Sequence, residues 1–97
     1  MKLVRGVVSR HIPYLIVDET ELNFANGAPG NDTFNITSNG AWTVTDNQSW
    51  CSESPDSGSN NLQITVSVTS GTDRYALITI EGQGITRYIT VNQGTPP

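Results

Sequence analysis

Apolar and polar residues alternate along most of the chain. Leu22 and Phe24, Phe34 and Ile36, and Trp42 and Val44 each sit between polar neighbours. The run Leu62, Ile64, Val66, Val68 holds period two, with Gln63, Thr65 and Ser67 between. Ala76, Ile78 and Ile80 repeat it, and Ile85, Ile89 and Val91 share one phase with Arg87 among them. Such alternation sends one set of side chains into a core and the other into water. No window carries an apolar stripe of helical spacing and length. Strands are predicted near 14–18, 21–25, 33–38, 41–45, 50–53, 62–69, 74–80 and 85–92. Turn signals separate them at Asn26-Gly27, Asn39-Gly40, Ser57-Gly58, Ser70-Gly71 and Gly82-Gln83-Gly84. Asn39-Gly40 is the sharpest, because Asn-Gly accepts the positive φ that a two-residue hairpin needs. Seven or eight short antiparallel strands predict an all-β fold of two packed sheets.

The first 13 residues stand apart. Leu3, Val4, Val7, Val8 and Ile12 are apolar enough to seek burial, and Pro13 limits strand pairing there. The organisation expected is therefore an N-terminal arm, residues 1–13, and a β-sandwich domain, residues 14–95. At 97 residues the chain has room for one compact domain.

Charge sharpens that division. The net charge of −4 hides an asymmetry: the arm carries Lys2, Arg5 and Arg10 and no acid, while the remainder sets Arg74 and Arg87 against all nine acids. A basic arm on an acidic body asks for a partner. Three dispersed cations make no nucleic-acid footprint, and an acidic body repels phosphate backbones. No apolar run is long enough to span a bilayer, so no membrane insertion is expected. Arg5, Arg10 and His11 interrupt the apolar run that a secretory leader needs. The expectation is a complete chain that leaves its cell by another route, the alternative being a piece of a secreted protein.

Little in the sequence supports catalysis. One Cys and one His exclude a disulfide framework, a Cys-based zinc site and a multi-histidine metal site. Cys51 reads as a small buried residue. The acids are scattered through turns and strand ends, with no D-x-D-x-D-G calcium loop. Gly82-Gln83-Gly84 reads as a hairpin connection and not a nucleotide cradle. Three N-x-S/T matches are discarded as what an Asn-, Ser- and Thr-rich chain yields by chance. No enzyme, cofactor or metal is expected.

Flat rings are what a sugar-binding face needs, and few are available. Trp42 shares the phase of Val44 and reads as a core tryptophan. Trp50, beside polar Asn47-Gln48-Ser49, is either core edge or a partly exposed stacking platform. Tyr75 and Tyr88 lie out of phase with the inward residues of their strands and are expected on one outer face, as a cross-strand pair. Ordinary packing is the preferred reading of all three, and Trp50, Tyr75 and Tyr88 are the candidates for glycan stacking as its alternative.

The segment Ser38-Asn39-Gly40-Ala41-Trp42-Thr43-Val44, followed by Trp50-Cys51, resembles the BACON domain family. So do Ser57-Gly58, Ile64-Thr65-Val66-Ser67-Val68, Arg74-Tyr75-Ala76 and the closing Ile89-Thr90-Val91-Asn92-Gln93-Gly94. The resemblance covers about residues 15–94. It implies an immunoglobulin-like β-sandwich, found in secreted or surface proteins of Bacteroidetes and in phages of these bacteria, with a carbohydrate-binding label. Three uses are in view. The first is a non-catalytic decoration protein on a virion surface, docked to capsid protein or neighbouring copies through Lys2, Leu3, Val4, Arg5, Val7, Val8, Arg10 and Ile12. The second is a module of a secreted surface protein that binds mucin or plant glycans. The third is an inert spacer in such a protein.

Overall fold

The computed structural model describes residues 12–96, and among them only strands and their connections occur. Nine strands form in order: β1 (Leu15–Val17), β2 (Glu21–Phe24), β3 (Gly30–Ser38), β4 (Ala41–Asp46), β5 (Cys51–Ser54), β6 (Ser57–Ser59), β7 (Leu62–Val68), β8 (Arg74–Gly82) and β9 (Ile85–Gln93). A four-stranded sheet has the order β1-β3-β7-β5, and a five-stranded sheet the order β2-β9-β8-β4-β6. The all-β, two-sheet sandwich is the one the alternation predicts.

The inward phase of each strand fills the space between the sheets. Phe34 and Ile36 of β3, with Ile64, Val66 and Val68 of β7, meet Trp42 and Val44 of β4. Ala76, Ile78 and Ile80 of β8, with Ile89 and Val91 of β9, complete the layer. Each buried Ile or Val contributes roughly 1.5–3 kcal/mol of transfer free energy.

Three details differ from the sequence reading. The described strands number nine because β6 forms where Ser57-Gly58 signals only a turn; Gly58 lies against the Trp42 ring, which leaves little room for a side chain. One pairing is parallel: β2 runs alongside β9, with Leu22 opposite Val91. The chain leaves the four-stranded sheet after β1 and joins the five-stranded one at β2. Finally, Asn39-Gly40 is no hairpin. β3 and β4 belong to different sheets, and neither residue has positive φ. The two-residue hairpin is Gln83-Gly84, with φ of 55° and 82°, joining β8 to β9.

Asn39 serves the crossover instead. Its side chain accepts from Tyr14 N and donates to Ile12 O, which extends the β1–β3 ladder beyond the strand itself. Of the arm residues named above, Lys2, Leu3, Val4, Arg5, Val7, Val8 and Arg10 lie outside the described residues. Ile12 lies within them and is 72% exposed.

Candidate functional site

The two ends and two faces of the sandwich treat their aromatic residues differently. Trp42 is buried between the sheets, and its indole N–H donates to Asn60 O at 2.9 Å. This is the core role that its phase predicts. Trp50 enters β5 at the other end, half-buried and packed against the core. The Arg74 guanidinium carbon lies 4.1 Å from the centroid of its ring, within cation–π range. Arg74 is itself fixed: Nε donates to Gln93 Oε1 at 2.8 Å, and Nη2 donates to Thr69 O and Ser70 O. The buried Gln93 amide then donates to Thr69 O and Ala28 O. Trp50, Arg74 and Gln93 thus form one seal over this end, and one face of the indole is taken.

Cys51 and Glu53 follow Trp50 on the inward side of β5. The thiol is buried and lies 3.5 Å from Glu53 Oε2. Desolvation first, and the Glu53 charge second, push the thiol up to about 12, so it stays protonated and unreactive at neutral pH. Burial together with the neighbouring Asp46 carboxyl raises Glu53 to about 7. Two other acids move the opposite way. Asp18 is lowered by the hydrogen bonds it accepts from the Asn35 backbone and side chain, and Asp73 by those from Asn26 and Thr95 N. These carboxylates tie loops and strand edges together.

Tyr75 and Tyr88 stand 55% and 57% exposed on the outer face of the five-stranded sheet. They share that face as their phase predicts, but they are not a cross-strand pair. Tyr75 stands opposite Asn92, and Tyr88 opposite Thr79, four register positions away. At about 3.3 Å per residue the two rings are rooted roughly 13 Å apart along the strands. Leu77 and Thr90 lie opposite each other between them, and Thr45 of β4 extends the row of Thr79 and Tyr88. Sequence reasoning did not single out these intervening residues. The signal was present, since each occupies the polar phase of its strand. Among the described residues no pocket forms, and no group of three or more His, Cys, Asp or Glu is placed to hold a metal.

Comparison with known proteins completes the description. The sequence model described as "BACON: Putative binding domain, N-terminal" matches residues 40–94, from the crossover through β9. No curated protein matches the chain. Among solved structures, the chain is similar to a Bacteroides ovatus GH5 xyloglucanase in complex with a XXXG heptasaccharide. There the TM-score is 0.77 and the identity 20%, over 87% of this chain and 19% of that one. WR4, a C. elegans MSP family member, gives a TM-score of 0.68 at 20% identity, over 81% of this chain and 96% of that one. Domains 4 and 5 of the S-layer protein SbsC give 0.61 at 24% identity, over 87% and 54%. These likenesses show the fold. The chain spans less than a fifth of the xyloglucanase chain it matches.

Proposed function

The chain belongs to the BACON family of binding domains, and from that premise we propose that it is a carbohydrate-binding module of a secreted or cell-surface protein. The observation that carries this reading is the pair of exposed tyrosines, Tyr75 and Tyr88, on one face of a sheet. A tyrosine ring presents an apolar body with a polar tip, which suits the apolar face and hydroxyl rim of a sugar. The ring is costly to leave in water and is not needed for the core. Trp50 does not belong to this surface, since Arg74 occupies one of its faces. The likeness to S-layer protein domains and to part of a xyloglucanase supports a cell-surface or extracellular setting over the virion surface that the charge split first suggests. Affinity electrophoresis through gels containing xyloglucan, other soluble plant polysaccharides or mucin tests the reading. Retardation that disappears when Tyr75 and Tyr88 are both changed to Ala is expected. Unchanged mobility in every gel would refute it.

One further observation favours a protein contact at the N-terminal side. Ile12, Tyr14 and Ile16 occupy alternate positions and are 72%, 43% and 53% exposed. Adjacent exposed apolar side chains mark interaction surfaces. The free edge of β1 is nonetheless blunted: Pro13 offers no N–H, and Arg87 Nε donates to Leu15 O at 2.8 Å. A neighbouring copy or larger assembly would therefore meet this side through the Ile12, Tyr14 and Ile16 side chains more readily than by adding a strand to β1. Changing Tyr14 and Ile16 to Ser should release such a partner in co-purification; retention of the partner would count against it.

A further inference from the structure

We propose that the outer face of the five-stranded sheet takes an uncharged polysaccharide, bound as an extended chain across Tyr75, Leu77, Thr90 and Tyr88. The inference rests on the carbohydrate reading above and names the class of sugar.

Charge is the first argument. All nine acids lie among the described residues, which hold only two cations. Neither cation is on this face. Arg74 is spent on Trp50, Gln93, Thr69 and Ser70 at one end of the sandwich. Arg87 occupies the inward phase of β9 and reaches across to Leu15 O. The strip between the tyrosines is uncharged, and the ionisable residues that border it are acids: Glu21 on β2, opposite Thr90, and Glu81 on β8, opposite Thr86. A sulfated, sialylated or uronate-bearing chain would be held beside like charge, with no guanidinium or ammonium of the described residues on that face to pair with it. An uncharged chain pays no such penalty, and the two carboxylates can accept hydrogen bonds from its hydroxyls.

Geometry is the second. Tyrosines rooted about 13 Å apart along the strands cannot both stack on one pyranose ring. They can both be covered by a chain of several sugars. Between them Leu77 offers an apolar contact, and Thr90 and Thr79 offer hydroxyls that both donate and accept. With no pocket among the described residues, the internal stretch of a long chain fits this surface as well as its end does.

The full chain is run in affinity gels containing hydroxyethylcellulose and glucomannan, and in others containing polygalacturonate and chondroitin sulfate, each at low and high salt. Retardation by at least one uncharged polymer is expected, insensitive to salt. Tyr75→Ala or Tyr88→Ala should weaken it about tenfold, the worth of one stacked ring near 1.4 kcal/mol. Tyr88→Phe should retain it, because the ring remains. A chain with Lys2, Arg5 and Arg10 all changed to Gln should bind the uncharged polymer as before, which separates the face from the basic segment. Binding only to the anionic polymers overturns the uncharged class while leaving the carbohydrate reading in place. Uncharged binding that ignores both tyrosines overturns the face. Retardation by none of the polymers overturns both readings together.

Discussion

Trp50 and Tyr88 look alike in the sequence, each an aromatic residue with a polar residue before it and an apolar one after it, yet the fold uses them in opposite ways. Trp50 is closed over by Arg74, which is held in turn by the buried Gln93 amide and two loop carbonyls. Tyr88 stands more than half exposed on a sheet face, with Thr79 opposite it. The difference lies in what each ring's neighbours need. Arg74 and Gln93 carry polar groups that burial leaves unsatisfied unless they bind each other, so they organise around the indole. Nothing in the core depends on Tyr88. A ring that the fold requires is a poor place to look for a ligand, and a ring that the fold leaves idle is a better one.

The largest effect that would sharpen this contrast is expected at Trp50. Trp50→Ala removes a ring that packs against the core and strands Arg74 above the gap. A loss of about 3 kcal/mol is expected, the lower end for an aromatic truncation because the ring is only half-buried. Urea unfolding would report it as a fall in midpoint at constant slope. Stability close to that of the parent chain would mean that Trp50 is idle after all, and the distinction drawn here would fail.

Arg74→Ala should cost somewhat less, about 2 kcal/mol, chiefly because Gln93 Oε1 loses its donor inside the protein. The cation–π contact with Trp50 is lost as well. Arg74→Lys should recover only part, since an ammonium cannot hold Gln93, Thr69 and Ser70 in the geometry of a planar fork. Denaturation midpoints of the two variants compare them directly, and an equal, full rescue by Lys would contradict the forked arrangement.

How much of this contrast was legible beforehand follows from the range of the interactions involved. The core was readable because alternation is local: Phe34, Ile36, Ile64, Val66, Ile78, Ile80, Ile89 and Val91 all point inward in the predicted phase. The same local signal put Tyr75 and Tyr88 on an outer face. Their register was not readable, because it depends on the Gln83-Gly84 turn fixing Gly82 opposite Ile85. The role of Trp50 depends on Arg74 and Gln93, far along the chain. Asn39-Gly40 carries strong hairpin chemistry, yet each flanking strand finds its partners in a different sheet, and that long-range choice overrides the turn preference. Ser57–Ser59 has no strand propensity of its own and pairs with β4 because small residues can pass beside Trp42. Several residues quoted for the family resemblance, Trp42, Trp50, Arg74 and Gln93, turn out to hold the sandwich together. Tyr75 is the exposed aromatic residue among those quoted.

Next in size is a pH effect at the sealed end. Glu53 faces Cys51 on its own strand, Asp46 on β4 and Asp56 beyond the β5 corner, and its pKa is raised from 4.5 to about 7. The folded protein therefore holds this proton more tightly than the unfolded chain does. The resulting stability is fully present below pH 4.5 and is lost as pH rises through 7. For a group still partly in contact with water the loss is about 1 kcal/mol after screening. Glu53→Gln should remove that slope, matching the parent near pH 4.5 and exceeding it in stability at pH 8. Midpoints measured across this range check it; a parent chain that gains stability from this residue as pH rises would reverse the assignment. No comparable slope is expected from the outer face, where the strip between the tyrosines carries no ionisable carboxylate.

The smallest effect on stability is expected at Tyr88, and that smallness is what gives the variant its value. Tyr88→Ala truncates an exposed ring that opposes Thr79 and fills no space in the core. Removing it forfeits a cross-strand contact and some strand propensity, within about 0.5 kcal/mol. The unfolding midpoint should thus barely move, while polysaccharide retardation falls about tenfold. Trp50→Ala should show the reverse ratio, a large drop in midpoint with affinity intact at temperatures where the fold survives. Measured side by side, the two variants separate a ring that holds the domain from one that holds a ligand. If Tyr88→Ala destabilised the fold as much as Trp50→Ala does, its exposed ring would have a structural task, and any loss of binding would no longer locate the sugar on that face.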